Sequence, residues 1–362
     1  MFDLARKSFA KHGDSFFLEE TGGVLIVSEA VLEKRHKDIQ KKKWFLFSKR
    51  QKALSALVAQ LQAPASFLLT CDLPNEAVLL TDQTTVTLSN IEISVELFLV
   101  LLEKTRVTVN ENFFIAKHND NEDCIKENGM MGETPFCLER SWVVVSPLAL
   151  ENIERMAPNS IGCVLEKIYL SDTGLINILP KLRIRGDCEV EHLRLSAREK
   201  EHVAEVLAQE TPFCVGRVKN MWLTDYAVGV ITKMSLKDCG FEWLCLTAAR
   251  REHVDEVLAQ EKPFCVGRVK NMRLWDYAAS VITKMTTHED NTMESFVWAG
   301  NEGQLSRILK EGDNSIDLGR IRTGGFDVPE RIKRKLRYTL VDGEGKEVLE
   351  EEEPGQRGNL LE

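Results

Sequence analysis

The chain has 362 residues, 43% of them hydrophobic and 28% charged, and a formal net charge of −9. The hydrophobic content is ordinary for a folded protein, and the acidic balance argues against general nucleic-acid binding. The longest apolar run, starting at Ile91, contains Glu92 and Glu96 and is too short to span a bilayer, which argues against a membrane partner. Nine cysteines, an odd number, together with an N-terminus that carries charges where a signal peptide is apolar, predict a reduced cytoplasmic location.

Residues 1–65 are predicted to form a helical leader. Ser28–Gln62 is rich in Lys, Glu, Leu and Ala and lacks Pro and Gly, and Pro64 is expected to end this helical stretch. Within it, Lys41–Lys52 mixes basic residues with aromatic ones, a mixture suited to anionic lipid or nucleic acid. We favour a helix that packs its aromatic side against the first repeats that follow it and leaves its lysines in water.

The rest of the chain repeats. Six cysteines recur with alternating gaps of 26 and 25 residues, at Cys137, Cys163, Cys188, Cys214, Cys239 and Cys265. Each precedes a short stretch with apolar residues at alternate positions, which is typical of a strand, and the first predicted strand is Trp142–Pro147. The segment that follows each strand has apolar residues at helical spacing. A strand and a helix about every 25 residues predict roughly eight to ten repeats between about residues 80 and 342, the earliest near Leu88 and Ile115.

Two neighbouring pairs of repeats are nearly identical. Residues 187–234 and 238–285 align without a gap, with 34 identities in 48 positions. At the predicted inward positions of the strands the copies agree, whereas the predicted outward residues, compared as four pairs, all differ. For example, Leu193 matches Leu244, but Arg194 is replaced by Cys245. Packing explains the constancy of the first set, and release from packing allows the second set to vary.

This pattern resembles a leucine-rich repeat. The alternating repeat lengths resemble the ribonuclease-inhibitor-like class that NLR-type receptors carry, and the recurring cysteine resembles the cysteine-containing class of F-box proteins. The Asn usual after the strand is missing, and Asp172, Asp225, Ala197 or Ala248 stands near its place; this departure blurs the subclass but not the repeat. The resemblance implies an α/β solenoid in which a curved parallel sheet carries outer helices, over residues 66–342. The acidic residues 343–362, with the run Glu350–Glu353, are predicted to be a disordered tail.

Partner binding is predicted on the concave strand face that the resemblance implies. The outward column is Val144, Tyr169, Arg194, Trp222, Cys245, Arg273 and Val297. The predicted partner-binding residues are Tyr169, His192, Arg194, Trp222, Thr224, Trp243, Arg273 and Trp275. Aromatic residues and Arg dominate protein interfaces. The alternative is that some of these aromatic side chains simply shield the sheet.

No catalytic residue, cofactor, metal or small-molecule substrate is predicted. Neither a G-x-S-x-G motif nor a phosphate loop occurs in the sequence. Cysteines 25 residues apart favour a packed column over a metal or redox array, and His202 and His253 are expected on a solvated helix face. The predicted function is therefore non-catalytic protein recognition, as in an NLR-type receptor fragment. The alternatives are an F-box-like substrate adaptor, an enzyme inhibitor of the ribonuclease-inhibitor type and, least favoured, an enzyme regulated by its repeats.

Overall fold

The computed structural model describes residues 8–28, 30–31, 58–119, 122–127, 134–301 and 303–348. The chain divides into two compact units, one of Met1–Val190 with Ala197–Gly216 and one of Glu191–Ser196 with Arg217–Glu362. These units do not coincide with the three predicted segments, residues 1–65, 66–342 and 343–362, whose boundaries stay predictions.

The first unit is built mainly of short strands. They are β1 (Ser8–His12), β2 (Ser15–Glu20), β3 (Gly23–Ser28), β4 (Ser66–Leu69), β5 (Val78–Leu80), β6 (Thr85–Leu88), β7 (Ile91–Ser94), β8 (Arg106–Val109), β9 (Phe113–Ala116), β10 (Ile125–Glu127), β11 (Phe136–Ser141), β12 (Ile161–Gly162), β13 (Leu165–Ser171), β14 (Leu182–Arg183), the ends of β15 (Glu189–Ala197), and β16 (Phe213–Cys214). Strands β1, β2, β3 and β5 form an antiparallel sheet, whereas β4, β6 and β8 form a parallel one.

A third sheet of this unit has the order β10-β7-β9-β12-β14 and is parallel except for β10. The helices of the unit are α1 (Val95–Lys104), α2 (Pro147–Arg155) and α3 (Ala204–Leu207), with the 3-10 helices η1 (Gly174–Lys181) and η2 (Lys200–Val203). Helix α1 follows β7 directly because Ser94 caps it by accepting a hydrogen bond from the Leu97 N–H at 3.2 Å.

The second unit continues the repeats. Its strands are the middle of β15, β17 (Arg217–Asp225), β18 (Met234–Ser235), β19 (Gly240–Ala248), β20 (Phe264–Cys265), β21 (Arg268–Asp276), β22 (Met285–Thr286), β23 (Thr292–Met293), β24 (Ser295–Ala299), β25 (Ile316–Arg322), β26 (Phe326–Asp327) and β27 (Leu336–Val341). Its helices are η3 (Tyr226–Lys233), η4 (Arg251–Val254), α4 (Asp255–Leu258), η5 (Tyr277–Lys284), η6 (Ile308–Lys310), η7 (Thr323–Gly325) and α5 (Glu330–Lys333).

The largest sheet is parallel and open, with eight strands in the order β11-β13-β15-β17-β19-β21-β24-β26. The predicted α/β class with a parallel sheet is confirmed at this level. In the second unit, strands β17, β19 and β21 of this sheet bury the inward side chains of their middle residues completely. The residues with no exposed surface there include Met221, Leu223, Leu244, Leu246, Met272 and Leu274. These are the positions that the two copies share.

The helices are fewer and shorter than predicted. Among the described residues, only α1 and α2 are α-helices of nine or more residues. The stretches after the strands form eight-residue 3-10 helices, η3 and η5, and a short η4–α4 pair. Val and Ile within η3 are β-branched and lose side-chain freedom in an α-helix, and 3-10 spacing places Ala227 above the buried Val230.

The first predicted strand is wrong. Strand β11 ends at Ser141, and Pro147 instead begins α2, with Ser146 accepting a hydrogen bond from the Ala149 N–H at 3.1 Å. A Ser cap followed by Pro is a helix start, and this signal outweighs the alternating valines. Val144 is therefore 92% exposed in the loop before α2, and Glu139 takes the position opposite Tyr169.

The start of the predicted helical leader is also wrong over Ser8–Ser28, which forms β1, β2 and β3. The run Val24–Val27 is fully buried, and three of its four residues are β-branched. Leu18, Leu25, Val27 and Leu79 pack together. Most of Ser28–Gln62, including the basic and aromatic segment Lys41–Lys52, lies outside the described residues. The strands near Leu88 and Ile115 exist, but they belong to sheets other than the eight-stranded one.

The C-terminal end differs from the predicted tail at residues 343–348. There the chain turns back along β27, and the Val348 N–H donates to the Leu340 carbonyl at 2.9 Å. The run Glu350–Glu353 lies outside the described residues. Across the residues that the structure describes, no helix combines the length and the apolarity needed to cross a bilayer.

Candidate protein-recognition face

The outward side chains of the second unit's long strands form rows that run from strand to strand. In the central row, Trp222 lies opposite Cys245, Cys245 opposite Arg273, and Arg273 opposite Val297. This part of the predicted outward column is confirmed. We call the following set the strand face: His192, Arg194, Trp222, Thr224, Trp243, Cys245, Arg273 and Trp275.

Two further rows flank the central one. On one side, Trp243 is opposite Asn220 and Asn271. On the other side, Thr247 is opposite both Thr224 and Trp275, and Trp275 is 46% exposed. The strand face is therefore three residues deep along each strand. The structure brings five of the eight predicted partner-binding residues into register across β17, β19 and β21.

The place of the β15 residues follows from the duplication. The Asn271 side chain donates to the Glu242 carbonyl at 2.9 Å, and the Asn220 side chain makes the equivalent bond to the Glu191 carbonyl at 3.0 Å. Because Trp243 follows Glu242 and pairs with Asn271, the same geometry places His192 opposite Asn220. Arg194, two residues further on, then lies opposite the outward Trp222, and the His192 and Trp222 rings are 5.5 Å apart.

Sequence reasoning missed these two asparagines. Asn220 and Asn271 point outward, yet they are identical in the two copies. Each side chain bonds the backbone of the preceding strand, so the residue is fixed by structure although it does not face the core. The signal that could have found them is an outward position that stays constant while the neighbouring outward positions differ between the copies.

Aromatic rings and guanidinium groups contact one another on the strand face. The Arg273 guanidinium lies 4.4 Å from the centroid of the Trp243 ring, across two neighbouring strands. A cation over the face of an indole is attracted by its quadrupole, by about 0.5–1 kcal/mol at an exposed site. The contact holds Arg273 above the sheet without neutralising its charge.

The charges at the start of the strands are paired, whereas those in the middle are not. Lys270 lies 2.6 Å from Glu242, and Arg268 lies 2.8 Å from Asp290. Arg194 and Arg273 are both exposed and form no ion pair with any of the described residues. The strand face therefore presents two uncompensated guanidinium groups among indole rings.

Cys245 lies between Trp222 and Arg273. Burial raises the pKa of its thiol, an effect that the positive charge of Arg273 only partly opposes. The raised pKa keeps the thiol protonated near neutral pH and disfavours the thiolate, which is the nucleophilic form. Within the strand face, Cys245 is thus a small apolar group that leaves room between its larger neighbours.

Tyr169 belongs to the first unit. It lies half-buried at an outward position of β13, opposite Glu139 on β11. Its predicted role in partner binding stays a prediction, as do the roles of the other seven residues.

Three long strands end at an aspartate with a positive φ. Asp172, with φ 49°, directly follows β13, and Asp225 (φ 58°) and Asp276 (φ 57°) are the last residues of β17 and β21. Asp and Asn tolerate this region better than most residues. The Asp172 carboxylate accepts the Arg198 N–H at 2.9 Å, and that of Asp225 accepts the Ala249 N–H at 3.2 Å. These carboxylates therefore tie the end of one strand to the loop after the next.

His253 does not lie on a solvated face as predicted. It is only 4% exposed, with Nδ1 2.9 Å from the Asp225 carboxylate and its ring 4.5 Å from that of Tyr226. The error has a physical cause, since η4 is a four-residue 3-10 helix whose side chains do not follow the α-helical spacing used for the prediction. His202, at the equivalent place in the first unit, is half-buried.

The six recurring cysteines lie at or just before the long strands: Cys137 is in β11, Cys214 and Cys265 end the short strands β16 and β20, and Cys163, Cys188 and Cys239 are in the connections that precede β13, β15 and β19. Cys163 and Cys239 are buried, while Cys137, Cys188, Cys214 and Cys265 are half-buried. Burial raises the pKa of the Cys163 thiol to about 12. In the part of the chain that the structure describes, no group of three or more His, Cys, Asp or Glu residues is arranged to hold a metal ion.

Comparison of the chain with protein-family models, with curated proteins and with solved structures gives no match.

Proposed function

We propose that the protein is a non-catalytic recognition module, of the leucine-rich-repeat type, that binds a protein partner through the strand face. The observation that carries the proposal is the contrast between the two sides of the duplicated strands. Leu244 and Leu246 are buried and unchanged between the copies, whereas Arg194 and Trp222 are exchanged for Cys245 and Arg273 on the outward side. The buried residues that support the sheet are the same in both copies, while the aromatic and Arg side chains on its outward side differ. Such a surface is suited to recognising a partner.

The leucine-rich-repeat assignment is part of this proposal. It is supported by a strand about every 25 residues in a parallel sheet and by aspartates at the strand ends that bond to the next loop. A placement among NLR-type receptors and a cytoplasmic location rest on the sequence pattern alone. The binding chemistry of the strand face does not depend on either of them.

The test compares the proteins captured by the wild-type chain and by a variant that carries Trp222→Ala, Trp243→Ala and Arg273→Ala. A matched control carries Trp142→Ala and Arg251→Ala, which removes an indole and a guanidinium that are exposed elsewhere. We expect quantitative mass spectrometry to show one or a few partners depleted at least about tenfold with the first variant and retained with the control. Equal capture by all three chains would refute the proposal.

Circular dichroism of the three chains provides the folding control. Trp222 and Trp243 are half-buried, so their truncation removes some packing as well as binding surface. A loss of partner counts only if the far-ultraviolet spectrum and the thermal midpoint of the variant match those of the control.

A further inference from the structure

We propose that the segment recognised by the strand face is an extended acidic peptide with two carboxylates four residues apart and an apolar side chain midway between them. This inference rests on the proposed function and adds the chemistry of the partner. It follows from three features of the strand face, namely its unpaired charges, the spacing of those charges and the character of the surface between them.

The unpaired charges define what the partner must supply. Arg194 and Arg273 are exposed cations without an ion pair among the described residues, although neighbouring carboxylates pair with Lys270 and Arg268. A guanidinium matches a carboxylate in a planar, two-pronged geometry. The group that completes each site is therefore a carboxylate of the partner.

The spacing of the two arginines sets the spacing of the carboxylates. Arg194 is on β15 and Arg273 on β21, with β17 and β19 between them. Three steps of about 4.8 Å between adjacent strands place the two positions roughly 14 Å apart. An extended peptide advances about 3.4 Å per residue and points alternate side chains to the same side, so residues i and i+4 span roughly 14 Å and face the sheet together.

The surface between the arginines is apolar. Trp222 and Cys245 occupy the two intervening places of the central row, and both are half-buried. Burial keeps the Cys245 thiol neutral, so it is small and uncharged beside the larger indole. The residue at i+2 of the peptide faces the surface formed by Trp222 and Cys245. An apolar side chain there would be shielded from water without desolvating a charged group of the protein.

Negative charges around the strand face favour a short acidic segment over a polyanion. Glu191 is exposed near the start of β15, and the whole chain carries a net charge of −9, although Lys270 compensates the charge of the exposed Glu242. A nucleic acid or a long acidic peptide would extend beyond the two arginines, where the negative potential of the protein would repel it. Two well-placed carboxylates gain the attraction without that repulsion.

The test uses the full chain and three dye-labelled ten-residue peptides with blocked ends. The first contains Glu-Ser-Leu-Ser-Glu at its centre, the second has the same composition with its glutamates three residues apart, and the third has lysines in place of both glutamates. Fluorescence anisotropy gives the Kd of each. We expect the first peptide to bind at least about fivefold more tightly than the second and not to be displaced by the third, because only the first presents both carboxylates on one side.

The protein variants assign the contacts. Arg194→Ala and Arg273→Ala should each weaken the first peptide about tenfold, which matches the loss of one charge-assisted hydrogen-bonded pair. Arg251→Ala removes an exposed cation that lies on η4 rather than on the strand face, so it should leave the Kd within about twofold. Equal Kd values for the first two peptides, equal losses in all three variants, or no binding of the first peptide would overturn the inference.

The outcome is separable from that of the proposed function. If no peptide binds but the strand-face variant still loses a captured protein, the strand face binds a partner of other chemistry. If the lysine peptide binds best, the recognised charge is opposite to the one inferred. Failure of the capture experiment as well would remove both proposals.

Discussion

Replacing Gly267 by Ala should destabilise the repeats sharply, because the turn before β21 has no room for a side chain. Gly267 has φ +76°, and a Cβ there would lie 2.5 Å from the Cys239 carbonyl oxygen and 2.6 Å from that of Leu236. Both obstacles are backbone atoms, so no side-chain rotation relieves them. The left-handed backbone alone costs an L-residue about 1–2 kcal/mol, and the overlap raises the expected loss to about 3 kcal/mol or more.

Gly240 provides the control. A Cβ at Gly240 meets nothing within 4 Å and its backbone is not left-handed, so Gly240→Ala should change the free energy of unfolding by less than about 0.5 kcal/mol. Urea unfolding followed by circular dichroism measures both variants. Gly216, the equivalent residue one copy earlier, would meet the Cys188 carbonyl oxygen at 2.6 Å and should behave as Gly267 does. Equal midpoints for Gly267→Ala and Gly240→Ala would refute the turn geometry.

Three further predictions test packing, titration and the strand ends. Leu246→Ala should cost about 2.7–5 kcal/mol in urea unfolding because Leu246 is fully buried, whereas Thr247→Ala on the outward side should cost less than about 1 kcal/mol; similar costs would contradict the assignment of the two sides. Cys163, with its thiol pKa raised to about 12, should react with a disulfide reagent at pH 8 far more slowly than the half-buried Cys265. Because unfolding returns the Cys163 thiol to its ordinary pKa near 9, its contribution to stability is complete below pH 9 and is lost as the pH rises toward 12; a melting temperature that rose over this range would contradict the sign. Asp225→Ala should lower stability by about 1–2 kcal/mol, and Asp225→Asn, which keeps an acceptor and tolerates the left-handed backbone, should lower it by less; the reverse order of thermal midpoints would exclude the bond to the next loop.

The alternation of inward and outward side chains was predictable from the sequence. It depends on the two-residue period of a strand, which is local, and the duplication marked the inward positions independently. The register from Trp222 to Val297 followed from the repeat length, since equivalent residues of stacked repeats face one another.

The secondary-structure predictions that were wrong concern segments whose conformation is decided by tertiary packing rather than by the local sequence pattern. The apolar spacing in η3 is compatible with both an α-helix and a 3-10 helix, and the choice is made by how the segment packs on the strands. The start of α2 at Pro147 was signalled by Ser146, but the neighbouring valines favoured a strand equally well. Over Ser8–Ser28, a buried antiparallel sheet forms because β3 pairs with β5, a partner more than 50 residues away that no local period reveals.

The candidate site was predictable in its residues but not in its chemistry. The sequence predicts Arg194, Trp222, Trp243 and Arg273 as site residues because they occupy outward positions and differ between the copies. Their contacts, such as the stacking of Arg273 on Trp243, and the absence of an ion pair for Arg273 among the described residues required side-chain positions. His253 was misplaced for the same reason, because its burial beside Asp225 is a tertiary contact.

Site-specific photocrosslinking tests the central claim most directly, namely that the strand face is the partner-binding surface. A benzophenone amino acid in place of Trp243 lies on the strand face, and the same amino acid in place of the exposed Arg251 lies on η4. If the strand face binds the partner, irradiation links a discrete protein to the chain through position 243 and not through position 251. A partner linked through position 251 but not through position 243 would contradict this claim.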